Sequence, residues 1–494
     1  MAATSLRGLP PELQFKIMVL LDAASMLSVG LSCRTLHELF RLPSVQYLYD
    51  LHLSVMQENG TDTSLDQLHS RLRCLRKGWE SLDWTPAQDV VNIPGSENVG
   101  CFVSGMFIET NEERTGLTVH SLPSATQGGH SHYTASVDFR FTSFDIDPGQ
   151  DVIVFVGESV LPNGTRRGNA HIRTLSAHMS HPDATVESFP FDISPRRDYY
   201  DIKVVDDVLV VITSGPGIYR LLLWNWQKGF LIYDSTDLGL PPKTYSFKML
   251  GRESFFLTTT AQFGKIHIYK FSPTAPSIPR MVAMLELPIS NMRLSNFFIL
   301  SPKLPTNPTP GTMFAPRPDA WVHVFSVRYF PEEPKSKKPS YMLFVQSRTL
   351  LQYVHRAGDI AQGEDVPWGQ WGEHETRFIA EPQEDYGQVY PYGHRVLRKP
   401  IGSSSIDVLD FSEVNPNLAS PAGMRQRFGR DTPTLLPPNN VFPQQVITRL
   451  PFHVTSRPVE RDPHPYYMMD EERVVESYED NQESNGTLLQ VYYF

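Results

Sequence analysis

Apolar residues recur with two different periods along this chain, and the change falls near Asn92. Before it the spacing is helical. Leu13, Ile17, Leu20 and Leu21 stand at i, i+4, i+7 and i+8, one face of a helix. Pro10 and Pro11 fix the backbone just before that helix or in its first turn, where a missing N–H costs little. Asp22 to Ser25 make a break, with Ser25 as a cap for the next helix. That second helix carries Val29, Cys33, Leu36 and Phe40 on one stripe, with Leu27 and Leu31 beside it. Gly30 inside it weakens the helix by about 1 kcal/mol relative to alanine, and Pro43 ends it. A third helix is predicted from about Val45 to Met56, followed by a turn at Asn59-Gly60. The fourth is the clearest: Leu65, Leu68, Leu72, Leu75, Trp79 and Leu82 recur every three or four residues, and Asp66, Arg71, Arg73, Arg76 and Lys77 take the other face.

From Pro94 onward the signals are strands and turns. Val152–Val156, Val208–Ile212, Ser254–Thr259, Ile266–Phe271 and Tyr341–Gln346 are rich in β-branched and aromatic residues, bounded by Gly, Pro, Asn and Asp. No second long amphipathic helix is predicted. A faint repeat runs through Leu117–Leu122, His171–Leu175, Leu221–Gly229, Lys265–Tyr269 and Ser405–Phe411, each a strand beside a small polar turn. Its spacing is roughly 50 residues where regular, longer than the ~40–45 of a tight WD-type blade. Sharing about 400 residues among units of roughly 55 gives seven blades, with six or eight as neighbouring solutions. Such a domain must close or repeat to hide its sheet edges; closure is expected from Thr487–Phe494 pairing with the first strand after Pro94. Proline, 41 of 494 residues, clusters in Pro302–Pro318, Pro331–Pro339, Pro433–Pro443 and Pro458–Pro465, which read as long loops.

Composition narrows the class. With 494 residues, 40% apolar and 20% charged, the chain is long enough for two or more domains with a sizeable core. No run approaches 18 uninterrupted apolar residues, so no transmembrane helix is predicted. Met1–Arg7 lacks the basic and apolar regions of a secretory signal. The three cysteines, Cys33, Cys74 and Cys101, suit a reducing compartment, so a cytoplasmic or nuclear location is expected. A net charge of −10 disfavours non-specific nucleic-acid binding.

Residues 9–40 resemble the F-box. The likeness is carried by Leu9-Pro10-Pro11-Glu12-Leu13, Ile17, Leu20-Leu21, Met26-Leu27, Leu31, Cys33-Arg34 and Leu36; Ser32, where the family often has a hydrophobic residue, and Gly30 depart from it. Tyr47–Trp84 looks like the region after the F-box in a large group of fungal F-box proteins, and Asp145–Asp151 and Leu223–Gly229 resemble elements of that group's C-terminal region. The resemblance implies a Skp-type adaptor as partner and, through it, a cullin–RING ubiquitin ligase, with the remainder selecting a protein substrate. It implies that Leu9, Pro10, Glu12, Leu13, Ile17, Leu20, Leu21, Leu27, Leu31, Cys33 and Leu36 form or support the adaptor interface. Size agrees in one respect: a unit of about 40 residues rarely stands alone, so some of these side chains need cover from outside it. That cover is either the adaptor or the following helices and β-domain.

Other motifs have plainer readings. His130/His132 and His178/His181 have zinc-ligand spacing without a third ligand nearby in sequence, and read as solvated loops. Asp145, Asp147 and Asp151 begin like a calcium loop, but Gly149 is one place early and Val156 replaces the closing glutamate, leaving an Asp-Pro-Gly turn. Asn59, Asn163 and Asn485 open Asn-Gly-Thr sequons that read as tight turns. Gly215-Pro216-Gly217 is a turn; Asp206-Asp207, Glu332-Glu333 and the acidic Asp470–Glu483 read as solvated. Trp224 and Trp226 alternate on a strand, so one reads as core and the other as facing a neighbouring blade, while Trp368 and Trp371 lie in a Gly-rich loop and read as core or loop packing, with an exposed recognition patch as the alternative. There is no Gly-x-Ser-x-Gly and no Walker-type loop.

The expected architecture is therefore α+β multidomain: an F-box over 1–44, a helical extension over 45–93, and an all-β, propeller-like recognition domain over 94–494. The expected role is a non-catalytic substrate receptor of a Skp–cullin–F-box ligase, with no cofactor, metal, nucleic acid or membrane. A non-ubiquitylating scaffold and a propeller enzyme or lectin acting on glycans are the alternatives.

Overall fold

The computed structural model describes residues 6–87, 90–93, 100–126, 129–193, 199–215, 218–236, 239–300, 307–331, 333, 337–356, 363–381, 387–400, 402–412, 425–459, 465–479 and 486–494. Five helices come first: α1 (Pro11–Met18), α2 (Ala23–Ser32), α3 (Arg34–Phe40), α4 (Pro43–Leu53) and α5 (Leu65–Ser81). Pro11 occupies the first turn of α1 and Pro43 that of α4, where their missing N–H groups are not needed. Asp22, not Ser25, caps α2: its carboxylate accepts from Ser25 N at 2.8 Å. The predicted second helix is two helices, because Cys33 between α2 and α3 is extended. Gly30 is there for space, since a Cβ would lie 2.7 Å from the Phe40 ring. Ser64 and Gln67 form a capping box at the start of α5.

Among the described residues seven β-sheets of four or more strands follow, each folded up and down from an inner strand to an outer one, over 100–136, 141–192, 199–234, 244–286, 294–381, 388–458 and 466–493. This is a seven-bladed β-propeller. Inner strands bond to one another around the axis: Val204 N of the third blade donates to Asp145 Oδ2 of the second at 2.8 Å, and Tyr390 OH of the sixth blade donates to Phe102 O of the first at 3.3 Å, past the seventh. All five repeat segments read from the sequence coincide with third strands of their blades: Gly116–Ser121, Arg166–Thr174, Ile218–Asn225, Lys265–Lys270 and Ser405–Asp410. The third strand of the fifth blade, Ser340–Gln346, is buried at every position, so its continuous apolar run conceals the repeat.

The ring closes earlier in the chain than expected. Thr487–Tyr493 pairs with Val91–Ile93 and with Thr85–Pro86, on the near side of Pro94. The seventh blade thus takes its outer strands from before the first blade and its three inner ones from after the sixth.

Two helices interrupt the fifth blade, against the expectation of none long and amphipathic: α6 (Ser347–Arg356), burying Leu350, Tyr353 and Val354, and α7 (Trp368–Glu375). Trp368 and Trp371, read as loop residues, lie on α7; the Trp371 indole donates to Glu286 O and is sealed in the core of the fourth and fifth blades. Trp224 and Trp226 both pack against the second blade.

Candidate functional site

The helical unit carries two apolar surfaces. Its own core is Met18, Met26, Leu36, Phe40 and Val45, with Leu21, Leu27 and Cys33 packed against it. Of the residues that the F-box resemblance marks, these four (Leu21, Leu27, Cys33 and Leu36) support the unit from inside. The others face out: Leu13 is 45% exposed, Leu20 84% and Leu31 69%, Pro10 and Glu12 are exposed, and Leu9 and Ile17 are half-buried. Leu13 and Ile17 share a face of α1 at i, i+4, and Leu20 follows just past its end.

The second surface belongs to α5 and is covered by the propeller. Leu68, Leu72, Leu75 and Trp79 join Phe314, Trp321, Tyr392, Leu397, Tyr467, Val474 and Phe494 in one cluster. Gly78 lets Phe494 seat directly on the helix, because a Cβ there would fall 2.4 Å from that ring. The Trp79 indole donates to Glu471 O at 2.9 Å, and the Arg395 guanidinium lies 4.8 Å over its ring. Arg71 pairs with Glu472 at 3.3 Å and donates to Phe494 O. Arg457 lies 4.2 Å over Trp84 and donates to Leu82 O. On the other flank, Asp50 of α4 meets His69 and Arg76 of α5 at 2.7 and 3.1 Å, and Met56–Glu58 pairs with Phe314–Pro316.

Asp470–Glu483 is therefore not a solvated stretch where it is described. Asp470, Glu471, Glu472 and Glu476 are buried, and Asp470 holds Arg473 at 2.8 Å; 480–483 lie outside the described residues. Burial, with Asp470 adding like charge, raises the pKa of Glu471. Asp206-Asp207 is also a structural pair. Arg252 grips Asp207 at 2.6 and 2.7 Å, and Asn307 donates to Asp206 at 3.3 Å. The exposed reading holds for Glu333, while Glu332 lies outside the described residues.

The propeller has a cavity of about 450 Å³, lined by inner strands of its third to seventh blades together with Ile212 and Tyr219 from the next two strands of the third. Tyr200, Tyr219, Tyr245, Tyr390 and Tyr466 supply phenols, Lys203 and Lys248 cationic heads, and Phe247, Phe298 and Pro391 apolar wall. Burial raises the hydroxyl pKa values of Tyr219 and Tyr390, so both stay neutral. Burial opposes the Lys203 charge, but Asp201, bonded to it at 2.6 Å, and Asp145 outweigh this and raise its pKa. Tyr200, Tyr245 and Tyr466 stand at or beside the starts of their strands, whereas α5 rests on strand-end turns such as 470–472.

The other motifs resolve into structure. Asp145, Asp147 and Asp151 are spent on Val204 N, Gly149 N and Ser176 N at 2.8, 3.0 and 2.7 Å, the Asp-Pro-Gly turn expected. His181 is buried, its Nε2 3.0 Å from Gln150 O, and His178 is half-buried, so this pair is not a solvated loop. Asn163 accepts from Thr165 N in a tight turn, and Asn59 donates to Thr312. Asn485 and Pro216-Gly217 lie outside the described residues.

No family model and no curated protein matches this chain. Among solved structures, the WD40 β-propeller domain of Doa1 is 8% identical, over 83% of this chain and 97% of that one, with a TM-score of 0.37. The Dos1 propeller is 8% identical, over 84% and 96%, with a TM-score of 0.37. An uncharacterized protein from Listeria monocytogenes EGD-e is 9% identical, over 80% and 90%, with a TM-score of 0.36. Scores at this level carry no functional argument, and the seven-bladed assignment rests on the strand pairing itself.

Proposed function

We propose that this chain is the substrate-recognition subunit of a Skp–cullin–F-box ubiquitin ligase, with α1–α3 docking a Skp-type adaptor and the propeller holding a protein substrate. One observation carries the reading. The helical unit completes its core with one set of residues while Leu13, Leu20 and Leu31, in the stretch that resembles the F-box, remain in solvent. Large aliphatic side chains left out in this way mark a surface with a partner. The subunit itself contributes position rather than chemistry. The packing of α4 and α5 on the blades fixes the adaptor face relative to the ring, so a protein held at the propeller is presented at a set distance from the ligase. Tyrosine, lysine and aromatic wall suit the axial cavity to binding, and its carboxylate, Asp201, is already paired with Lys203.

The test is capture of a purified Skp-type adaptor by the full chain. The expected result is a stable complex that Leu20→Asp/Leu31→Asp abolishes while the far-ultraviolet circular dichroism is unchanged. Failure of the wild-type chain to bind overturns the proposal. Where the complex forms, ubiquitin transfer to a bound protein with the cullin present separates a ligase receptor from a scaffold.

A further inference from the structure

The first blade holds an imidazole cluster that the linear sequence showed only in part. His130 and His132, spaced i, i+2, share one face of the sheet edge, and the register sets His120 of the adjacent strand directly opposite His132. The three rings stack, with centroids 5.3 Å (His120–His130), 5.7 Å (His120–His132) and 5.5 Å (His130–His132) apart. His120 Nδ1 lies 3.1 Å from His130 Nε2. The far nitrogen of His120, Nε2, lies 3.2 Å from Glu109 Oε1. His120 and Glu109 are both buried, and Glu109 Oε2 has no hydrogen-bond partner.

We propose that this cluster is a binding site for a divalent transition cation of the kind imidazole prefers, Zn²⁺ being the reference ion. Glu109 takes the proton-bearing Nε2 of His120, which leaves the Nδ1 lone pair directed at His130. A carboxylate behind a ligating histidine is the usual outer partner of such a site, fixing tautomer and ring orientation. Two nitrogens about 2.05 Å from a tetrahedral ion stand roughly 3.3 Å apart, close to the 3.1 Å between His120 and His130. Metal binding moves the His130 proton from Nε2 to Nδ1, with no net change of protonation. A buried carboxylate with one oxygen unpartnered is costly unless positive charge lies nearby, and a dication beyond His120 supplies it. As they stand, no three His, Cys, Asp or Glu side chains among the described residues converge on a metal position. The third nitrogen comes from His132, which is exposed and turns on the outer strand without disturbing the core; water completes the shell. The histidine-only donor set excludes hard cations.

Calorimetric titration of the full chain with Zn²⁺ is the test, with Co²⁺ as an optical reporter. The expected result is one ion per chain, visible d–d bands from Co²⁺, and no heat from Mg²⁺ or Ca²⁺. His130→Ala/His132→Ala alters half-buried and exposed positions and keeps the fold; it should remove the bands and weaken Zn²⁺ by more than tenfold. Glu109→Gln keeps all three imidazoles and should weaken Zn²⁺ by roughly 10- to 100-fold. Equal affinity in the wild type and the double variant, or no binding by the wild type, overturns the proposal. A double variant that binds normally would place the measured ion at other histidines of the chain.

Discussion

Two apolar helical surfaces lie within the first 82 residues and meet opposite fates. On α5, Leu68, Leu72, Leu75 and Trp79 are at most 4% exposed, because the propeller supplies Phe494, Tyr392 and Trp321 to cover them. Around α1 and α2, Leu20 and Leu31 are 84% and 69% exposed although the unit beneath them has its own core. Helical periodicity marks both as apolar and says nothing about what covers either. The difference lies in partners hundreds of residues away, or outside the chain.

The largest effect should come from removing the anchor of the covered surface. Trp79→Ala deletes an indole that fills the junction, donates to Glu471 O and stacks under Arg395, and should cost about 3–5 kcal/mol in chemical denaturation. Early proteolytic release of the helices would show that the junction is what failed; unchanged stability would break the comparison.

Acid should come next. Burial holds His267 down to about 4 and His323 and His394 to about 3, against 6.5 in an open chain. The unfolded chain then binds more protons below pH 6.5, so stability falls as pH falls, by up to about 2 kcal/mol per histidine between pH 7 and 5. Glu471 acts in the opposite sense: burial raises its pKa from 4.5 to about 8, so the folded chain holds the extra proton and this contribution to stability is lost as pH rises from about 4.5 to about 8, then stays level. In a pH series of denaturation midpoints, the difference between Glu471→Gln and the wild type should shift in the variant's favour between about pH 4.5 and 8 and stay constant above that.

Gly30→Ala should be smaller and local. The added methyl meets the Phe40 ring, and overpacking of this kind costs about 1–3 kcal/mol; it should lower the melting of the helical unit and leave the propeller signal in place. Least of all, Leu20→Asp/Leu31→Asp should change stability by no more than about 0.5 kcal/mol, while abolishing the proposed adaptor capture. A large stability loss there would mean that the exposed surface is covered within the chain after all.

Much of this fold was legible because local chemistry is honest about period. The α5 stripe, the Gly- and Asn-bounded strands and the third-strand repeats could be read residue by residue, and they led to seven blades. What could not be read was anything decided by distant partners. Asp470–Glu472 look like solvent-facing charge until Arg71 and Tyr392 arrive from elsewhere in the chain and Arg473, next in sequence, turns back onto Asp470. His130 and His132 showed their spacing but not His120, which only strand register brings opposite. The split at Cys33 was hidden because the apolar stripe continues across it while the backbone does not. At the candidate adaptor face, the residue types were visible in advance; which of them turn inward, as Leu36 does, was not.

The seating of α5 has a consequence for how the molecule is made. Its platform includes Glu471 and Phe494, and the strand that pairs with Val91–Ile93 is Thr487–Tyr493. At about 5–20 residues per second, a ribosome that has released α5 needs on the order of tens of seconds to deliver them. During that interval the leucines and Trp79 have no cover, and an interrupted transcript would leave them bare for good. A chain built this way carries its own check on assembly: the helices are locked to the ring only after the strand Thr487–Tyr493 has been translated.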